Sequence, residues 1–231
     1  MSIVSEEKLA AAAAAEFSRI KLEIPISNNP DYNARVQEIG KRIANVVSAD
    51  IPNANWEFVV FEDDDQINAF AMPGGKVAVY TGLLKITKTD DELAIVIGHE
   101  IAHVAARHSN ERFSSEIVKS GFMNIGAIAL GFTGLGYAES QVLLEAVGVG
   151  TDLGVMLPFS RKHESEADHI GLLYAARAGY DPHAAITFWE RVEALDEDDP
   201  LEFLSTHPSG EKRIRKLWAQ MPEALEIYRN R

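Results

Sequence analysis

Two histidines four residues apart, with a glutamate after the first, stand in HEIAHVAARH (99–108), in a chain with only seven histidines. On a helix turning ~100° per residue, His99 and His103 return to nearly the same face one turn apart. Both imidazoles can then reach one ion, with Glu100 beside that face. In this H-E-x-x-H arrangement the histidines bind zinc and the glutamate deprotonates a water that the metal activates. The same residues also fit an ordinary helix with a surface histidine pair, so a third ligand must decide.

Catalytic zinc takes three protein ligands and keeps one position for water. The extended form with a glycine and a third histidine downstream fails, because Ala106 and Ser109 occupy those places and His108 misses by one residue. The remaining precedent is a glutamate on a second helix in an E-x-x-x-D pattern. Within SRKHESEADHIGL (160–172), Glu164 and Asp168 have that spacing. Glu164 can ligate the metal, and Asp168 can accept the free ring N–H of a ligand histidine, read as His99. Glu166 would point about 200° away. A solvated acidic face is the alternative for this pair.

Composition narrows the chemistry further. The 231 residues carry no cysteine, so a metal must be held by imidazole and carboxylate. A net charge of -13, with no basic run longer than KRIRK, argues against nucleic acid. With 46% hydrophobic and 25% charged residues the chain reads as one folded domain over 1–231.

The elements that must position these residues are read as follows. Residues 1–30 form a helical extension, with a helix over 5–20 that has an acidic first turn and an alanine run. A second helix, 31–49, places Val36, Ile39, Ile43 and Val46 on one apolar face. Short β-type runs follow at 56–61, 68–72 and 76–80, with PGG (73–75) as a turn, giving a small antiparallel sheet. Thr89 and Glu92 have capping-box spacing, so a helix over 90–108 carries the first motif. Ser160 and Gly179 bound another over 161–178. One more spans 182–195, closed by the acidic loop DEDDP, and two short helices finish the chain, one opening at Ser209 and one over PEALEIYRNR. The apolar glycine-rich segment 120–157 is expected to be a lid over the cleft. Its run 120–138 reads as a buried or interfacial helix rather than a membrane span. The fold class is α+β and mostly helical. An edge strand beside a zinc site offers its backbone to an extended peptide, which singles out Asn68, Ala69, Phe70, Ala71 and Met72 as substrate contacts. His163, His169 and His183 default to local structural roles.

HEIAHVAARH, SRKHESEADHIGL and then STHPSGEKRI, together with NAFAMPGGKVAVYTGLL, resemble the gluzincin metalloproteases that include the CAAX prenyl proteases, HtpX and soluble bacterial envelope proteases. The likeness runs from about residue 30 onward. It implies His99, His103 and Glu164 as ligands of one zinc ion, Glu100 as general base and Asp168 as the partner of a ligand histidine. It also implies that His207 lies near the metal, as oxyanion donor or as a fourth, inhibitory ligand; a capping or surface role beside Pro208 is the alternative. Arg213 either orients substrate or pairs with an acidic helix. The membrane members carry clear spans, so this chain resembles the soluble branch, which implies a periplasmic or envelope setting.

The resulting expectation is a zinc metalloendopeptidase of protein quality control, acting on polypeptides that include unfolded or membrane-associated ones. A metal-stabilised binding or chaperone-like domain with an occluded site is the competing reading. A zinc enzyme acting on a non-peptide amide is a third.

Overall fold

The computed structural model describes residues 5–119, 159–196, 203–204, 207 and 211–231. The lid expected over 120–157, most of the DEDDP loop and the start at Ser209 lie outside these residues.

Helix α1 (Glu6–Glu23) begins where Ser5 Oγ accepts from Lys8 N, and α2 (Pro30–Val46) where Asn29 Oδ1 accepts from Asp31 N and Tyr32 N. Strands β1 (Glu57–Phe61), β2 (Ala69–Met72) and β3 (Lys76–Tyr80) form a sheet in the order β1-β3-β2. Antiparallel pairing holds for the β2–β3 hairpin, whose turn uses Gly74 and Gly75 at φ 84° and 92°. The β1–β3 pairing corrects the all-antiparallel expectation: it is parallel, from Glu57 beside Lys76 to Phe61 beside Tyr80. Residues 62–68 carry the chain from β1 past the central position to β2, and β3 then turns back between them. β1 and β3 therefore run the same way.

Alternation along the strands divides the sheet between two layers. Phe61, Phe70, Met72 and Tyr80 pack with Phe17 and Ile20 of α1. Val60, Ala69, Ala71, Val77 and Val79 share the main core with Val36, Ile39 and Ile43 of α2 and with the helix of the first motif. That helix, α4 (Asp90–Ala105), follows a single-turn-and-a-half α3 (Thr81–Ile86) too short to show a period in sequence. Thr89 Oγ1 accepts from Glu92 N, as the capping box requires, while Glu92 Oε2 accepts from Lys88 N.

α4 stops at Ala105, three residues short of the expected end. Arg107 takes φ 58°, a left-handed conformation uncommon for a residue with a side chain, and α5 (His108–Lys119) starts immediately after it. α6 (Arg161–Arg177) starts under Ser160 and ends where Gly179, at φ 89°, lets Tyr180 N donate back to Ala175 O. α7 spans Ala184–Asp196. The two short terminal helices expected are one, α8 (Glu211–Arg229), with Pro222 inside it. Leu217, Met221 and Ala224 are buried on one face across the proline, so tertiary packing outweighs the lost helical hydrogen bond.

α4 and α6 touch backbone to backbone. A Cβ on Gly98 would meet Gly171 O at 2.8 Å, and one on Gly171 would meet His99 N at 2.7 Å. Two glycines thus set the helix spacing beside the first histidine.

Candidate metal centre

His99 and His103 project from α4 with their Nε2 atoms 3.1 Å apart. Glu164, in the first turn of α6, brings Oε2 to 3.3 Å from His99 Nε2 and Oε1 to 3.3 Å from His103 Nε2. His207 adds Nδ1, 3.3 Å from His99 Nε2 and 3.1 Å from Glu164 Oε2. One donor atom from each of these four buried residues lies within 4.8 Å of every other.

These separations have a simple meaning. A tetrahedral ion with bonds of about 2.0–2.1 Å has ligand atoms roughly 3.3–3.4 Å apart, close to the spacing observed. The donor set is imidazole nitrogen and carboxylate oxygen, as zinc accepts without thiolates. Glu164 Oε1 and Glu100 Oε1 are buried and have no hydrogen-bond partner among the described residues, an arrangement costly for acceptors unless a cation or water serves them. The residues present therefore fit a divalent ion.

Electrostatics agree. Burial works against a charge on His99, yet the Glu164 and Asp168 carboxylates outweigh it and raise this group to about 10 without metal. The site thus calls for positive charge between its carboxylates. Burial also pushes His103 well below its usual range, leaving it neutral as a ligand must be. Against burial, His207 and His99 hold Glu164 well below the ordinary carboxylate range. Glu100 moves the other way, raised chiefly by burial. Its Oε1 lies 3.4 Å from His207 Nε2.

Around the donors, Asp168 Oδ1 lies 2.9 Å from His99 Nδ1 and accepts from Arg213 Nη2 at 2.6 Å. Burial disfavours the Asp168 charge, but Arg213 and His99 more than compensate and lower it. Arg213, placed among the substrate contacts on sequence grounds, faces inward and is 6% exposed. It donates to the carbonyl of His207 at 3.1 Å, lies 3.4 Å from Glu164 Oε2 and rests its guanidinium 3.5 Å from the centroid of the Trp189 ring. Of its two readings, pairing with the acidic helix is the one the geometry brings about, because a buried guanidinium needs those acceptors. Ala69–Met72 form β2, which packs against α4, and Asn68 just before it accepts at its carbonyl from Tyr80 N; none of the five lies in the donor cluster.

Sequence reasoning missed two neighbours of His103. Phe159 stacks on its ring at 4.1 Å, and His108 Nδ1 lies 2.9 Å from its Nδ1. The sole signal was a third histidine in HEIAHVAARH, and no period placed it. Burial, reinforced by His163, lowers His108 to about 4.

An H-E-x-x-H helix met by a glutamate from a second helix, beside a small sheet, defines a metallopeptidase-type centre. Residues 30–220 match Peptidase family M48, and the chain belongs to that family. It is 39% identical over 198 residues to the mitochondrial metalloendopeptidase OMA1 of Schizosaccharomyces pombe, covering 84% of this chain and 56% of that protein. The Arabidopsis thaliana protein of the same name is 43% identical over 189 residues, 80% of this chain and 36% of its own length. The β-barrel assembly-enhancing protease of Escherichia coli is 33% identical over 195 residues, 82% of this chain and 39% of that protein. The chain thus spans between about a third and just over half the length of these relatives. Among the described residues no helix is long and apolar enough to cross a membrane.

Proposed function

We propose that this chain is a zinc-dependent metalloendopeptidase with His99, His103 and Glu164 as its metal ligands. The observation that carries the reading is the convergence of four buried donors, each within 4.8 Å of the others, beside the buried carboxyl of Glu100. The ion, when bound, supplies Lewis acidity that polarises a carbonyl and acidifies water. Glu100 takes a proton from the attacking water at its carboxylate and passes it to the leaving amine. Burial, by raising Glu100 from the ordinary carboxylate range, suits it to hold that proton in between. Asp168 orients His99 through Nδ1, and Arg213 neutralises Asp168 and tethers His207 by its carbonyl.

His207 presents Nδ1 to the other donors rather than to open cleft, which favours a fourth, inhibitory ligand over an oxyanion donor. An occluded resting state follows, and this is the feature that the binding-domain alternative would share. For substrate, β2 is one of the two edge strands of the described sheet, and an extended peptide adding to Asn68–Met72 would lie along α4. The names of the relatives point to mitochondria in eukaryotes and to β-barrel assembly in Escherichia coli. Unfolded or membrane-associated polypeptides are accordingly the proposed substrates, in a quality-control role. The bacterial envelope is the proposed compartment, as for the Escherichia coli relative's β-barrel assembly setting.

The test is casein cleavage by the purified chain with and without chelator, beside Glu100→Gln. Chelation is expected to abolish cleavage. The variant should keep its zinc and lose turnover by about 10²–10⁴-fold. Undiminished cleavage by Glu100→Gln would refute the assignment.

A further inference from the structure

His103 uses both ring nitrogens. Its Nε2 faces His99 and Glu164, while its Nδ1 faces His108 Nδ1 at 2.9 Å. A neutral imidazole has one N–H and one lone pair. If Nε2 gives its lone pair to the ion, the proton sits on Nδ1 and needs an acceptor. His108 Nδ1 is that acceptor, and the His108 proton must then lie on Nε2. This atom is buried without a hydrogen-bond partner among the described residues and points toward Glu166 Oε2, 3.6 Å away, beyond ordinary hydrogen-bond range but on the side where a carboxylate attracts an N–H.

Resting on the reading of His103 as a ligand, we infer that His108 is a positioning residue whose Nδ1 accepts the Nδ1–H of His103 and so holds the His103 Nε2 lone pair toward the ion. The two ligand histidines are thus oriented differently: His99 by the anion Asp168, His103 by a neutral imidazole. The same proton placement argues against His108, His163, Glu111 and Glu166 as a second cation site, because His108 Nε2 has no lone pair to give.

Backbone shape makes the contact. On an uninterrupted helix, residue 108 would lie about 140° around from residue 103. The left-handed Arg107 ends α4 and turns the first residue of α5 back onto the motif. A stack with His163, centroids 4.3 Å apart and planes 17° apart, then holds the His108 ring.

Zinc affinity of the full chain, measured by competition with a chromophoric chelator, tests this with two variants. His108→Phe keeps a ring between its aromatic neighbours and removes the acceptor, and should weaken zinc binding about 10–100-fold. His108→Asn gives up the ring but returns an acceptor oxygen near the Nδ1 position, and should recover most of that loss. A packing role reverses the order, and His108→Phe binding zinc like the wild type would overturn the inference. Should either variant misfold, ¹⁵N-histidine NMR of the zinc-loaded wild type decides alone. Nδ1–H on His103 and Nε2–H on His108 are expected, and a proton on His108 Nδ1 overturns the inference while leaving the zinc assignment intact. A wild-type chain that binds no zinc would instead refute the proposed function, and this inference with it.

Discussion

Replacing Gly171 with alanine should damage the metal centre without touching a donor. The added Cβ would stand 2.7 Å from His99 N and 2.8 Å from Gly98 C and His99 Cα. Comfortable contact between carbons is about 3.5–4.0 Å, so the overlap is roughly 0.7 Å or more. Every colliding atom is backbone of α4, and relief requires α4 and α6 to move apart. One helix carries His99 and His103, the other Glu164, and metal–ligand distances tolerate only about 0.2 Å. Overpacking costs about 1–3 kcal/mol, and alanine's better helix propensity offsets about 1 kcal/mol of it. The net loss is roughly 0–2 kcal/mol, a Tm drop of at most about 8 °C for a chain of this size. Zinc affinity, read by chelator competition, should fall at least about tenfold, the lower end of what disturbed ligand support costs. Gly40→Ala is the control, because its Cβ would strike the Phe58 ring at 2.4 Å, in the α2–sheet layer. It should lower stability and leave zinc affinity unchanged. If Gly171→Ala binds zinc as tightly as the wild type, helix spacing does not set the site and the reasoning fails.

Three further outcomes are expected. His207→Ala should raise casein cleavage if His207 Nδ1 fills a fourth position; a fall of about 10²–10³-fold would instead mark an oxyanion donor. Burial disfavours the Glu92 charge, but Arg191 at 2.6 and 2.8 Å, with Lys88 N, overcomes it and holds the group below 4.5. Its stabilising contribution is therefore complete above about pH 4.5 and lost as pH falls through the depressed folded value. Unfolding midpoints across that acid range should be less pH-dependent in Glu92→Gln. At Arg107, φ 58° makes a β-branched residue unfavourable, so Arg107→Val should cost about 1–2 kcal/mol more than Arg107→Gly in urea titrations.

Local periodicity made much of this molecule readable. His99, Glu100 and His103 follow from one helical turn, and Glu164 and Asp168 from another, because spacing within a helix fixes which side chains share a face. The caps Thr89 and Ser160 mark helix starts for the same local reason. What was not legible depends on chain reversals or distant packing. Arg107 carries none of the glycine or asparagine signal that usually marks a left-handed turn, so the pattern reads as a continuing helix on which His108 misses the site. Arg213 lies against Trp189, Asp168 and the His207 carbonyl, partners from three other parts of the chain. The parallel β1–β3 pair depends on where β3 inserts, which no run of residues within a strand encodes. Pro222 reads as a break, yet the buried face through Leu217, Met221 and Ala224 carries the helix past it.

X-ray absorption at the zinc edge of the zinc-loaded chain, with the zinc-to-protein ratio measured on the same sample, tests the central claim most directly. One ion per chain is expected, in a shell of nitrogen and oxygen at about 2.0–2.1 Å with the multiple-scattering signature of at least two imidazoles. Failure to retain zinc, or a shell with fewer than two imidazoles, would contradict the convergence of His99, His103 and Glu164 on a single ion.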